Sequence, residues 1–92
     1  MSETATVRLT EHLAPGRLEY ELAKVEQRRD PPVPVWAVRD GAEVPGELLG
    51  WAENPRGSND GWRGLVTGVR EYATGFWAEY LSWVRAEQVR ER

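Results

Sequence analysis

Residues 62–85 read WRGLVTGVREYATGFWAEYLSWVR, and the fold turns on whether the second half of this stretch is helix or strand. On a helix, Trp77, Leu81, Val84 and Gln88 share one face, and Ala, Glu, Gln and Arg favour that state. On a strand, Phe76, Tyr80, Ser82 and Val84 alternate with Trp77, Glu79, Leu81 and Trp83, and so many aromatic residues suit a pleated surface better. The strand is the preferred reading. Thr74-Gly75 then turns Trp62 to Tyr72, itself strand-like, into Phe76 to Val84.

Upstream the same punctuation recurs. Val33-Pro34-Val35-Trp36-Ala37-Val38 ends at Asp40-Gly41, Val44-Pro45-Gly46 is expected to supply a second bend, and Glu47 to Ala52 follows. Residues 54–61 combine Asn, Asp, Pro, Ser and Gly, each suited to turns or positive φ. Downstream, the Arg85 to Arg92 tail reads as a short helical turn near Ala86 to Val89. Four strands and a closing turn in some sixty residues match the scale of a small, partly open barrel, so the predicted class is mainly β.

Three prolines in Asp30-Pro31-Pro32-Val33-Pro34 forbid helix and mark a segment boundary, dividing one domain of 92 residues into an N-terminal extension, 1–32, and a barrel-like meander, 33–92. Within the extension, Thr6 to Glu11 alternates like a strand, and Ala14-Pro15-Gly16 separates it from Arg17 to Arg29. That second piece fits two patterns. Leu18, Leu22 and Val25 share a helical face, whereas Leu18, Tyr20 and Leu22 alternate with Glu19 and Glu21. The extension is therefore a strand plus a helix or a hairpin, packed on the barrel.

The ending Trp83-Val84-Arg85-Ala86-Glu87-Gln88-Val89-Arg90 resembles the closing segment of bacterial Src-homology-3-like barrels, in which a strand ending in Trp-Val runs into one helical turn and a final apolar residue. Arg85 stands where that pattern has proline. From Val33 onward, about two-thirds of the chain, the Val-Pro-Gly and Gly-Trp stretches also resemble small uncharacterised actinobacterial proteins. The resemblance implies a Src-homology-3-like barrel.

Composition narrows the function. The chain has no Cys and one His, His12, which removes disulfides, thiolate zinc sites and catalytic histidine pairs. His12 follows a strand-like stretch and reads as a surface loop residue. No run of signal-peptide or membrane-span character is visible, so the expectation is a cytoplasmic chain without membrane contact. A net charge of −3 with interspersed signs counts against a nucleic-acid footprint. Lys24 is the sole lysine and Ile is absent, usage that looks like a GC-rich coding sequence rather than a functional signal.

The carboxylate pairs Glu19 with Glu21 and Glu43 with Glu47 alternate with apolar residues and read as solvated strand faces, not acid–base pairs. Gly61-Trp62-Arg63-Gly64 has the spacing of a nucleotide-clamping loop but opens a strand after a turn, so hairpin glycines are the better account. No catalytic residue, metal site or cofactor is expected.

The aromatic set is different. In the last strand Phe76, Tyr80 and Val84 face one way, Trp77, Leu81 and Trp83 the other, and a small barrel needs only one face for its core. The second face is either covered by residues 4–29 or left partly open as a groove. The candidate binding residues are Trp36, Trp51, Trp77, Tyr80 and Trp83. The leading expectation is a non-enzymatic interaction or accessory module whose unknown partner is another protein. The alternative is a nucleic-acid-binding barrel that stacks bases on Trp and Tyr, with Arg39, Arg56, Arg63 and Arg70 as a phosphate stripe. Oligomeric state is not legible.

Overall fold

The computed structural model describes residues 16–92, apart from the side chain of Tyr72, and the backbone of residues 7–9. The elements run β1 (Val7–Leu9), α1 (Arg17–Leu22), β2 (Gln27–Arg39), β3 (Ala42–Glu53), β4 (Trp62–Ala73), β5 (Phe76–Arg85), a 3-10 turn (Ala86–Gln88) and β6 (Val89–Glu91). Strands β2 to β5 form an antiparallel meander. After the 3-10 turn, β6 pairs antiparallel with the free side of β2, through Val35 to Glu91, Trp36 to Arg90 and Ala37 to Val89. At the other margin β1 lies parallel to β5, so the order is β1-β5-β4-β3-β2-β6. The sheet is mainly antiparallel and is not closed. The expected strand at 76–84 and the turn after it are both present, whereas the remainder of the Thr6 to Glu11 stretch and His12 lie outside the described residues.

The β2–β3 hairpin turns at Asp40 and Gly41, with φ of 52° and 81°. Two left-handed residues match the twist of the flanking strands, which is why Asp-Gly serves there. The expected second bend at Val44-Pro45-Gly46 does not exist. These residues continue β3, opposite Ala37, Trp36 and Val35. Counting from the turn-closing pair Arg39 and Ala42, hydrogen-bonded and non-bonded pairs alternate, and Trp36 with Pro45 is a non-bonded pair, as is Pro34 with Glu47. Both prolines sit where the missing N–H faces away from the β2–β3 ladder, so neither interrupts it.

The boundary expected at Asp30 to Pro34 lies inside β2, which begins upstream at Gln27. Pairing with β3 lapses from Arg28 to Val33, so the proline-rich run occupies a break in the ladder rather than a loop between segments. Of the two patterns at Arg17 to Arg29, the helical one holds and the alternation of Leu18, Tyr20 and Leu22 with Glu19 and Glu21 does not, because those five residues lie within a helix. The first six residues are helix, entered through Gly16 at φ 82°, and the last three are strand.

Two apolar clusters lie on opposite faces of the sheet. The inner one gathers Val35, Ala37, Leu48, Val66, Tyr80 and Val84, with Trp51, Val44 and Val89 against it. The outer one gathers Ala52, Leu65, Leu81 and Trp83, and Leu22 and Val25 at the end of α1 and just beyond it pack there together with Leu49. The N-terminal segment therefore covers the second aromatic face of β5 at Leu81 and Trp83. Full burial of a Leu or Val side chain contributes about 1.5–3 kcal/mol, and Leu65, Val35 and Val66 are wholly enclosed.

A bulge decides which aromatic residue faces inward. The β3–β4 register pairs Leu48 with Val66 but Gly50 with Leu65, so one residue of β3 is extra. Strict alternation from Leu48 would send Trp51 outward. The bulge instead returns Trp51 to the inner face and places Ala52 outward beside Leu65.

Candidate aromatic binding cleft

At the end of the sheet formed by the start of β2, the end of β3 and the start of β4, Trp51 and Trp62 line a cleft of about 280 Å³ together with Gln27, Arg29 and Ala86. Trp51 is positioned by the bulge and by its cross-strand partner Gly64. A Cβ on Gly64 would lie 3.2 Å from the indole ring and 2.8 Å from Leu48 Cδ1, so the absent side chain is what lets the indole lie against β4. Trp62 opens β4 opposite Glu53 and is 41% exposed. The loop before it is closed on itself, since the Gly61 N–H donates to Asn54 Oδ1 at 2.7 Å and the Asn54 N–H to the Gly61 carbonyl at 2.8 Å. These bonds and the hairpin glycine Gly61, at φ 81°, fix the point from which Trp62 projects.

The other sequence-predicted aromatic residues are dispersed. Tyr80 is 3% exposed in the inner core, its hydroxyl donating to the Pro45 carbonyl at 2.8 Å. Trp83 is 8% exposed in the outer cluster, and its indole N–H donates to Glu21 Oε1 at 2.9 Å. Trp36 is half-buried beside β6, with the Arg92 guanidinium 5.8 Å from its ring centre. Trp77 is half-buried on β5, at the position that β1 pairs through Arg8. Of the five candidates only Trp51 lines the cleft, and Trp62, its partner there, was missed. The signal available in the sequence was position: a Trp immediately after a turn-rich loop lies at a strand's mouth, where one flank has no neighbouring strand.

Glu21, read as a solvated strand residue, is on α1 and 13% exposed. Burial alone would raise its pKa, but the Trp83 N–H, Lys24 and Arg17 outweigh burial and hold it below the ordinary glutamate value of 4.5. Glu43 takes a two-pronged contact from Arg90 at 2.8 and 2.9 Å, which lowers its pKa, and Glu47 lies 3.6 Å from Arg92. These carboxylates are spent on cations and on an indole rather than paired with one another.

The four arginines considered as a stripe divide into two pairs. Arg63 is held by Asp60 at 2.8 Å and reaches the Trp83 carbonyl, and Arg56 borders the cleft between α1 and Trp83. Arg39 and Arg70 face inward near Tyr80 instead. Arg63 and Arg70 stand seven positions apart on β4, about 23 Å of strand. Among the described residues no three His, Asp or Glu side chains gather as a metal-ligand group, and no helix is long and apolar enough to cross a membrane. No protein-family model, curated protein or solved structure matches the chain.

Proposed function

We propose that this chain is a non-enzymatic protein-interaction module that takes an extended, proline-containing segment of a partner protein in the Trp51–Trp62 cleft. The observation that carries the reading is that two indoles line one open depression, whereas Tyr80 and Trp83 are buried. Flat indole faces suit proline rings, which enter a complex with little chain entropy left to lose. Arg29 and Gln27 on the rim supply donors for carbonyl or carboxylate groups of the partner. The order of elements supports a Src-homology-3-like reading of the barrel: a four-strand meander, a 3-10 turn, and a last strand returning to the first. The base-stacking alternative draws less support, because Arg63 is committed to Asp60 and the four arginines do not share a face.

Titrating the protein with proline-rich peptides while following indole N–H resonances tests the reading. The resonances of Trp51 and Trp62 are expected to move while that of Trp83 stays still. Trp62→Ala should weaken binding by about 2 kcal/mol and leave the thermal midpoint nearly unchanged, since the side chain is already partly in water. A peptide library that leaves both indoles unmoved, or a Trp62→Ala protein that binds as well as the parent, overturns the assignment.

A further inference from the structure

The opposite end of the sheet carries two guanidinium groups whose hydrogen-bonding capacity is only partly met. Arg39 ends β2 two residues after inward-facing Ala37, and Arg70 lies on β4 two residues after Gly68, the cross-strand partner of inward-facing Tyr80. The Arg39 guanidinium carbon sits 4.5 Å from the centre of the Tyr80 ring, an attractive cation–π contact that fixes its position. Arg70 Nη1 donates to Asp40 Oδ2 at 2.9 Å, which brings it to the β2–β3 turn, next to Arg39 in the chain. Both positive charges act on the same buried phenol. Burial raises the Tyr80 pKa, and Arg39, Arg70 and Arg92 oppose that rise.

The Nε atoms of Arg39 and Arg70 are buried and have no hydrogen-bond partner among the described residues. A cation whose N–H is taken from water without an acceptor is costly, and such a group calls for an ordered water, an ion or a functional role to explain it. Asp40 offers little compensation. Its side chain is 82% exposed, and an ion pair held from so open a turn is weak and readily exchanged. Arg92, the third cation near Tyr80, is already engaged by the Val35 and Gly46 carbonyls and by Glu47.

We propose that this end of the sheet is a binding site for a phosphate group, held by the guanidinium forks of Arg39 and Arg70 beside the Tyr80 ring, with Asp40 as the internal competitor. Two forks present more donors than one carboxylate has lone pairs, and a doubly charged tetrahedral anion matches two cations once Asp40 swings away. The site lies about 26 Å along β4 from Trp62 and is independent of the aromatic cleft.

The test is a titration of the full chain with inorganic phosphate at low ionic strength, read from the arginine Nε–Hε resonances. Those of Arg39 and Arg70 should shift and saturate, while sodium chloride at matched ionic strength leaves them in place. Arg39→Gln and Arg70→Gln should each weaken binding about tenfold or more, as loss of a charge-assisted fork requires. Asp40→Asn, which tolerates the left-handed turn, should strengthen it about threefold by removing the competitor. A short phosphoserine peptide binding more tightly than inorganic phosphate assigns the site to a phosphate carried on a chain. Weaker binding of that peptide assigns it to the free ion, and both results support the site. Should the glutamine variants fail to fold, the shifts in the parent and the Asp40→Asn effect still decide. Unmoved Nε–Hε resonances, acetate acting as strongly as phosphate, or Asp40→Asn weakening phosphate binding overturns the proposal.

Discussion

Whether a Trp of this chain serves the core or a partner is set by its immediate neighbours. Trp83 has apolar residues around it and a carboxylate for its N–H, whereas Trp62 stands at a strand's mouth and keeps 41% of its surface. Trp51 owes its inward position to one backbone irregularity, and Gly50 is the residue at which that irregularity can be tested. A Cβ at Gly50 would collide with the Val25 side chain and lie 2.7 Å from the Gln27 carbonyl, so the segment leaving α1 crosses β3 in direct backbone contact. Gly50→Ala must push that segment away, and the cost is that of overpacking, about 1–3 kcal/mol. Urea denaturation should show a lower midpoint with an unchanged slope, and the Trp51 indole resonance should shift. A variant as stable as the parent would mean that the crossing is not in contact.

Among the elements, α1 is the one least able to stand alone. Six residues are too few for an isolated helix in water, and none of them is fully buried. It is held by Leu22 and Val25 in the outer cluster, by Arg17 donating to the Leu81 carbonyl at 3.3 Å, and by Glu21 accepting the Trp83 indole N–H. Because the folded pKa of Glu21 is depressed, the stability it contributes is present above the ordinary glutamate value and lost as pH falls through the lower folded one. The thermal midpoint should therefore drop as pH falls below the ordinary glutamate value of 4.5, and Glu21→Gln should flatten part of that drop. Glu43 titrates in the same direction through Arg90, so the difference between parent and variant isolates the α1 contribution. Identical acid profiles would sink the role given to Glu21. The strands and turns were legible in the sequence because alternation and Asp-Gly or Thr-Gly turns are local signals, and the closing turn was legible in the composition of the tail after Trp83-Val84. The bulge at Leu49 and Gly50 was not, since two adjacent residues sharing one face leave no mark in a pattern read by period. Pro45 misled because a proline in a strand looks like a bend until the hydrogen-bond phase of the ladder is known. Of the cleft, Trp51 was visible as an aromatic residue, but its union with Trp62 depended on that same bulge.

At the scale of the molecule, a single twisted sheet has to bury two apolar faces, and it does so by two different means. Its own curvature encloses the inner cluster, while the outer cluster depends on a cover supplied from earlier in the chain. Removing everything before Gln27 leaves the β2–β6 framework, the Trp51–Trp62 cleft and the Arg39–Arg70 end in place but strips Leu22 and Val25 from Leu65, Leu81 and Trp83. If the cover shields roughly 150 Å² of apolar surface, its loss costs on the order of 4 kcal/mol at about 25 cal/mol/Å². Against a total of about 5–15 kcal/mol for a native domain, that is enough to leave the truncated chain marginally folded. It should bind a hydrophobic dye, and its Trp83 N–H, deprived of Glu21, should exchange quickly with solvent. The double change Leu22→Ser with Val25→Ser removes the same apolar contacts without shortening the chain, and it should reproduce most of the loss in urea midpoint. If the double variant matches the parent while the truncated chain is weak, the missing stability lies in the pairing of β1 with β5 rather than in the cover over Trp83. If both match the parent, the outer cluster is self-sufficient, and the N-terminal segment serves something other than the fold.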